Sequence, residues 1–387
     1  MKRRSWALVL VLILGLLPLR AGAATLAEAG KSAVLMDVTT GTVLYENNSH
    51  EPLAPASVTK VMTMLLIMEA VDSGKIALED TVTASENAAA KGGSQIYLKA
   101  GETMSVSDML KSIAVSSAND CACAMAEHIA GSESAFVDAM NQRARELGMQ
   151  DTHFVNCTGL DDDDTAKQHR TSAYDIALMS RELLVKHPDI KKFTSIWMDT
   201  VRNGAFGLSN TNKLIRFYNG ATGLKTGYTS GAGYCLSATA EREGLELIAV
   251  VMGCETSQKR AAACKSMLDY GFANFSLVSP GLEEDLRVPV TLGAADSVPL
   301  TLAGGDSMLI DKGQKNLISY EVASEPSVKA PVAKGQTLGS LTVKAGDQGL
   351  KTIPLIAASN VDRLTWGNLF LTVLRRAAMG KSPVDTV

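Results

Sequence analysis

The chain has 387 residues, 46% of them apolar and 20% charged, with a formal net charge of −4. That length predicts more than one domain and a large packed core. The charge balance excludes the basic field of a nucleic-acid-binding protein.

Lys2, Arg3 and Arg4 precede an apolar run from Trp6 to Leu19, and Ala21-Gly22-Ala23 then supplies small residues at −3 and −1 of a cleavage site. This is the pattern of a signal peptide over residues 1–23. The run is short for a membrane span of about 20 residues. Cleavage near Ala23 is therefore favoured over an uncleaved anchor, and either way the rest of the chain is exported.

Ala33–Met36 and Thr42–Tyr45 flank Thr39-Thr40-Gly41 and predict a hairpin. Val58, Met62, Leu65 and Leu66 recur at helical spacing from Ser57 to Asp72, and Gly74 ends the pattern. Further helices are expected at Val106–Val115, Cys121–Ala130, Glu133–Leu147 and Ser172–Lys186. Strands follow near Gly223–Tyr228, Gly233–Arg242 and Leu247–Gly253, then a closing helix at Arg260–Phe272. Strands, helices and strands in that order predict an α+β domain over 24–279, with helices covering an antiparallel sheet that the first hairpin shares with the last strands.

Composition shifts at Ser279-Pro280-Gly281. Short apolar runs at Leu286–Leu292, Leu338–Val343 and Thr352–Ile356 predict a small β-rich sandwich over 280–361. In the tail, 362–387, Trp366, Leu369, Phe370, Val373, Leu374 and Ala377 share a helical face from which Asn368, Thr372, Arg375 and Arg376 are excluded. Such an amphipathic helix either packs on its own domain or lies in a membrane interface; its terminal position favours the membrane.

Three short stretches carry chemistry. Ser57-Val58-Thr59-Lys60 opens the first long helix, where residues three apart share a face and the Lys60 amine reaches the Ser57 hydroxyl. Serine becomes a nucleophile when a base takes its proton, and a lysine whose pKa is lowered by burial or a second cation is such a base. Ser117-Ala118-Asn119 falls between two helices, and a hydroxyl beside an amide can relay a proton and hold a substrate amide. Asn119 or Asp120 is also a candidate helix cap. Lys225-Thr226-Gly227 lies in a strand and offers a positive charge, a hydroxyl and a close approach to the backbone, which suits a terminal carboxylate. Each stretch alone is a weak signal. Their order, with 60 residues from Ser57 to Ser117 and 108 from Ser117 to Lys225, is not.

That ordered set is the one found in penicillin-binding proteins and class A β-lactamases. With Leu53–Thr63, His169–Asp175, Asn210–Leu214, Gly223–Thr229 and Ala232-Gly233-Tyr234, the sequence resembles the low-molecular-mass penicillin-binding proteins, the serine D-alanyl-D-alanine carboxypeptidases, from about Leu26 to the C-terminus. The resemblance implies that Ser57 attacks the penultimate D-alanine carbonyl and that Lys60 is the base. It implies an oxyanion hole of the Ser57 and Tyr228 N–H groups, a proton relay at Ser117, and a substrate amide held by Asn119. Lys225, Thr226 and Gly227 would bind the terminal carboxylate, and Lys225 would also depress the Lys60 pKa. The partners it implies are peptidoglycan stem peptides ending in D-Ala-D-Ala, β-lactams as covalent inhibitors, and a membrane surface; no cofactor or metal is expected. Strand alternation sends Lys225 and Thr226 to opposite faces, so alternation alone does not explain how both reach one ligand.

A class A β-lactamase is the nearest alternative, but no Glu-x-x-Leu-Asn lies between Ser117 and Lys225. A non-hydrolytic sensor is another, and the presence of both Ser57 and Lys60 speaks against it. The remaining features are read plainly. Cys121, Cys123, Cys157, Cys235, Cys254 and Cys264 are expected as small buried hydrophobes. Asp161–Asp164 is expected as a solvated acidic loop. His50, His128, His153, His169 and His187 receive no catalytic role, and Arg260 a structural one.

Overall fold

Ser32–Asp37 and Val43–Asn47 form the first hairpin, and it joins the later strands Leu245–Cys254, Gly233–Arg242 and Ala221–Thr229 in one antiparallel five-stranded sheet, in that order. The computed structural model describes residues 26–162, 164–282, 285–304 and 307–367, with Phe370 and Leu374. The signal-peptide expectation for 1–23 and most of the expectation for the tail lie outside the described residues.

The central strand explains the layering. Leu245–Met252 is buried throughout, as expected of a strand covered on both faces. Val34, Met36, Ile248, Val250 and Met252 point to one apolar cluster, shared with the helices that lie between the two groups of strands. Their neighbours Ala33, Leu35, Leu247, Ala249 and Val251 point to another, filled by Ala263, Cys264, Met267 and Leu268 of the Ser257–Asn274 helix. The two-residue period of a strand thus builds a helix–sheet–helix stack.

Lys60–Asp72 is buried on nearly every side and forms the centre of the helical layer. Around it run Val106–Ser116, Asn119–Ala130, Glu133–Glu146 and Ala173–Lys186. Ser105, Ser132 and Ser172 cap three of these by accepting from the N–H groups of Asp108, Ala135 and Asp175. The expected helical start at Ser57 is different in detail. Ala56–Thr59 is a 3₁₀ turn, and the α-helix begins at Lys60. The reason is local: Ala56 sits at φ 48, in the left-handed region that no right-handed helix passes through.

From Phe275 the chain is β-rich. Phe275–Val278 pairs with Met308–Asp311, and a six-stranded sheet runs Ile318–Ser324, Thr337–Ala345, Gln348–Ala357, Ser297–Leu302, Arg287–Thr291 and Val328–Lys329, the last pair parallel. Its own apolar cluster includes Val288, Val298, Leu341, Val343 and Leu355. Lys312 ties this region to the first by donating to the Phe272 carbonyl (2.9 Å). At the start of the tail, Trp366 is 87% exposed, and no helix of the described residues is long and apolar enough to cross a membrane.

Candidate active site

The turn bearing Ser57 is gripped from two sides. A Cβ at Gly227 would stand 2.6 Å from the Pro55 carbonyl oxygen and 3.1 Å from the Ser57 nitrogen, so the Ala221–Thr229 strand lies directly against the turn. On the other side Gly159, at φ +82, approaches so closely that a Cβ there would fall 1.8 Å from the Ala56 oxygen. Thr59 locks the turn from below by donating to the Ala56 carbonyl (2.8 Å). His169 holds Thr59 in place with Nε2 at 2.8 Å from its hydroxyl, while His169 Nδ1 accepts from the Val155 N–H (3.1 Å). An accepting Nδ1 fixes the proton on Nε2, which donates to Thr59. Burial, followed by the charges of His153, Arg170 and Lys60, holds the His169 pKa down to about 3, so the ring is neutral at any working pH.

Lys60 Nζ is 3.0 Å from Ser57 Oγ and 2.7 Å from the Thr158 carbonyl oxygen, and the residue is completely buried. Burial lowers its pKa to about 7, against the opposing pull of Cys157 and Asp120. Of the two expected causes, burial and a second cation, burial is the one that lowers it; Lys225 does not. Desolvation acts on Lys60, and the repulsion between the two amines is felt at Lys225, whose pKa is well below the ordinary lysine value through burial first, then Lys60 and Arg260. The Lys225 amine donates to the backbone carbonyl of the next residue, Thr226 (2.8 Å).

Ser117 sits between two helices at φ 64 and is almost fully buried; its hydroxyl bonds nothing among the described residues. Asn119 begins the next helix. Its Nδ2 donates to the Gly92 carbonyl (2.7 Å), its backbone N–H donates to the Ser94 carbonyl (2.7 Å), and its Oδ1 is buried with no partner. An orphaned buried acceptor is costly unless a ligand donates to it. Neither Asn119 nor Asp120 caps this helix. The cap position is Ala118, because the Asp120 carboxylate is taken by the N–H groups of Ile96 and Leu98.

Thr226 Oγ1 meets Thr211 Oγ1 at 2.6 Å, and the Thr211 N–H donates to the Val115 carbonyl (3.2 Å), so one threonine links the third motif to the helix that leads into the second. Arg260 donates to the carbonyls of Gly227 and Cys235 (3.3 Å each), and its Nε is buried without a partner. Tyr228 is 55% exposed and stacks on Tyr234, with ring centroids 4.2 Å apart. Ser57 is therefore in contact with Lys60 on one side and with the strand at Gly227 on the other, and Lys225 lies within charge reach of Lys60. The sequence reading missed Thr158, Thr211 and the Thr59–His169 pair. It also missed that Arg260 supports the strand beside Ser57.

The family described as D-alanyl-D-alanine carboxypeptidase matches residues 20–256, and the one described as penicillin-binding protein 5, C-terminal domain, matches residues 272–363. The chain belongs to the D-alanyl-D-alanine carboxypeptidase family. Within that family it is 45% identical over 358 residues to D-alanyl-D-alanine carboxypeptidase DacF of Bacillus subtilis, covering 91% of this chain and 90% of that one. Penicillin-binding protein 5 from Haemophilus influenzae has the same architecture, with a TM-score of 0.72 at 31% identity over 87% of this chain and 98% of that one. Penicillin-binding protein D2 from Listeria monocytogenes in its ampicillin-bound form matches with a TM-score of 0.58 at 33% identity, over 63% of this chain and 98% of that one. The six cysteines of this carboxypeptidase family member are free and buried, in agreement with the sequence reading.

Proposed function

We propose that Ser57 is the nucleophile of this serine D-alanyl-D-alanine carboxypeptidase, and that it removes the terminal D-alanine from peptidoglycan stem peptides. The observation that carries this is the Ser57 hydroxyl 3.0 Å from an amine that burial brings to about pKa 7. A neutral Lys60, held by the Thr158 carbonyl, takes the Ser57 proton as Oγ attacks the penultimate carbonyl. The N–H groups of Ser57 and Tyr228 receive the oxyanion. Asn119 accepts the N–H of the substrate amide at its orphaned Oδ1, since its Nδ2 is already spent on Gly92. Lys225 and Thr226 bind the terminal carboxylate, and Gly227 lets the strand approach. Ser117 hands its proton to the departing D-alanine nitrogen and is reprotonated by the Lys60 ammonium. Water then attacks the ester, giving a proton to Lys60, which passes it to the Ser57 oxygen as the ester bond breaks and the shortened peptide leaves.

β-Lactams acylate the same serine, the ring amide standing for the scissile bond; the likeness to an ampicillin-bound relative supports this. The chain acts outside the cytosol. We read it as a leader over 1–23, a catalytic domain over 24–279, a β-rich domain over 280–361 and an interfacial tail over 362–387; the two family matches and the exposed Trp366 support that division. Intact-mass analysis after incubation with benzylpenicillin tests the assignment. The adduct and D-alanine release are both lost in Ser57→Ala, whereas an adduct on another residue sinks the reading.

A further inference from the structure

Two functional side chains of the cleft are anchored on backbone carbonyls. Lys60 donates to the Thr158 carbonyl (2.7 Å), and Asn119 donates to the Gly92 carbonyl (2.7 Å). Holding the base and the amide clamp in register therefore means holding two loops, residues 91–94 and 156–160. The loops meet at the cleft: a Cβ on Gly93 would stand 2.9 Å from Asn119 Nδ2 and 3.3 Å from Leu160 Cδ2.

One side chain outside the three motifs reaches both loops. Glu133 opens the Glu133–Glu146 helix. Its Oε2 accepts from Lys91 Nζ (2.6 Å), and Lys91 is the residue before Gly92. Its Oε1 accepts from the Cys157 thiol (3.3 Å) and the Cys157 N–H (3.4 Å), and Cys157 is the residue before Thr158. The Cys157 carbonyl in turn accepts from the Thr63 hydroxyl (2.6 Å) on the Lys60–Asp72 helix. Each oxygen of one carboxylate thus holds the residue directly ahead of one of the two anchoring carbonyls.

The tie is strong for its type. The Lys91 and Glu133 side chains are only 21% and 16% exposed, so ammonium and carboxylate meet with little water between them. Burial opposes ionisation of Glu133, yet Lys91 and Cys157 hold its pKa below the ordinary carboxylate value. The charges that act on Lys60 are those of Cys157 and Asp120. Glu133 therefore bears on the base by placing its partner.

We propose that Glu133 is a positioning residue for this reaction: its carboxylate ties the loop that anchors Asn119 to the loop that anchors Lys60, and so sets the spacing between amide clamp and base. The inference rests on the carboxypeptidase reading and adds to it a residue that touches no substrate.

D-Alanine release from an acylated peptide ending in D-Ala-D-Ala, followed well below each variant's unfolding midpoint, tests it. Glu133→Gln keeps the size and removes the charge, and kcat/KM falls about tenfold through both kcat and KM, the worth of one lost charge-assisted hydrogen bond. Lys91→Met frees only the Gly92 side, so KM rises about threefold and kcat holds. Combining the two loses no more than Glu133→Gln alone, because both cut one tie. In an Asn119→Ala background Lys91→Met has no further effect on KM. A folded Glu133→Gln enzyme within twofold of wild type overturns the proposal, and so does a Lys91→Met effect that persists in full without Asn119. Should Glu133→Gln fail to fold, the cycle between Lys91 and Asn119 decides alone. A wild type that neither releases D-alanine nor forms a benzylpenicillin adduct on Ser57 would instead remove the reading beneath it.

Discussion

Two regions of the chain bury different kinds of side chain. Between residues 26 and 274 the interior holds Lys60, Lys225, Asn119, Asp120 and His169 beside its apolar residues. From 275 to 361 Ser276 is the one buried polar side chain among the described residues, and the rest are apolar. Burying a polar or ionisable group costs stability unless it is fully partnered, and several groups in the first region are not, including Asn119 Oδ1 and Arg260 Nε. The second region carries no such burden. The first region buries Lys60 and Lys225 at the site and Asp37, Asp175 and Glu246 elsewhere, whereas the β-rich region buries no charged side chain among the described residues.

Lys60→Met is the sharpest way to break that contrast. It replaces a buried amine by an apolar chain of similar length. Acylation by benzylpenicillin falls by about 10²–10⁴-fold, the usual worth of a general base. Thermal unfolding is unchanged or shifts upward, because a buried group that resists charging has gone. A lowered melting temperature would contradict the view that Lys60 is kept at a cost. The same amine sets a pH dependence. Acylation by the wild type rises as pH passes upward through about 7, where Lys60 loses its proton. Stability also rises with pH between about 7 and the 10.5 of an exposed lysine, since over that window the unfolded chain binds a proton that the buried amine does not. Lys60→Met flattens the acylation profile and lessens the slope of the stability profile, leaving the part that the buried Lys225 contributes.

Leu355→Ala is the counterpart in the second region. Leu355 is fully buried, and its truncation costs about 2–5 kcal/mol in chemical denaturation. Acylation of the folded protein is unaffected; a slower rate would mean that this core tunes the cleft. Thr59→Val comes next. It removes the hydroxyl between His169 and the Ala56 carbonyl and slows acylation by about tenfold, the worth of one buried hydrogen bond. Because His169 stays neutral down to about pH 3, the pH midpoint does not move. The smallest effect is expected at Arg143, which bridges Glu69 and Glu182 at 2.7 Å each on the outer helices. Arg143→Ala costs about 1 kcal/mol or less and leaves catalysis alone.

What the sequence conveys follows the same division. Hairpin, helices, sheet strands and the runs around Arg287–Thr291 and Thr337–Ala345 were readable because periods of 2.0 and 3.6 residues record which face is buried. Ser57 and Lys60 were readable because a helical turn brings residues three apart together. Thr158 and Thr211 were not: each acts on a residue many positions away, one through its backbone carbonyl and the other partly through its backbone N–H. The contribution expected of Lys225 to the lowered Lys60 pKa was misjudged for a related reason. A motif names neighbours, whereas desolvation depends on everything that closes over the amine.

The two bare α-carbons at 159 and 227 leave Ser57 seated before any ligand arrives. A covalent drug therefore meets a mould already set. Potency across a compound series should follow how well each scaffold matches fixed walls, and resistance is more readily reached by altering the rim than by loosening the seat.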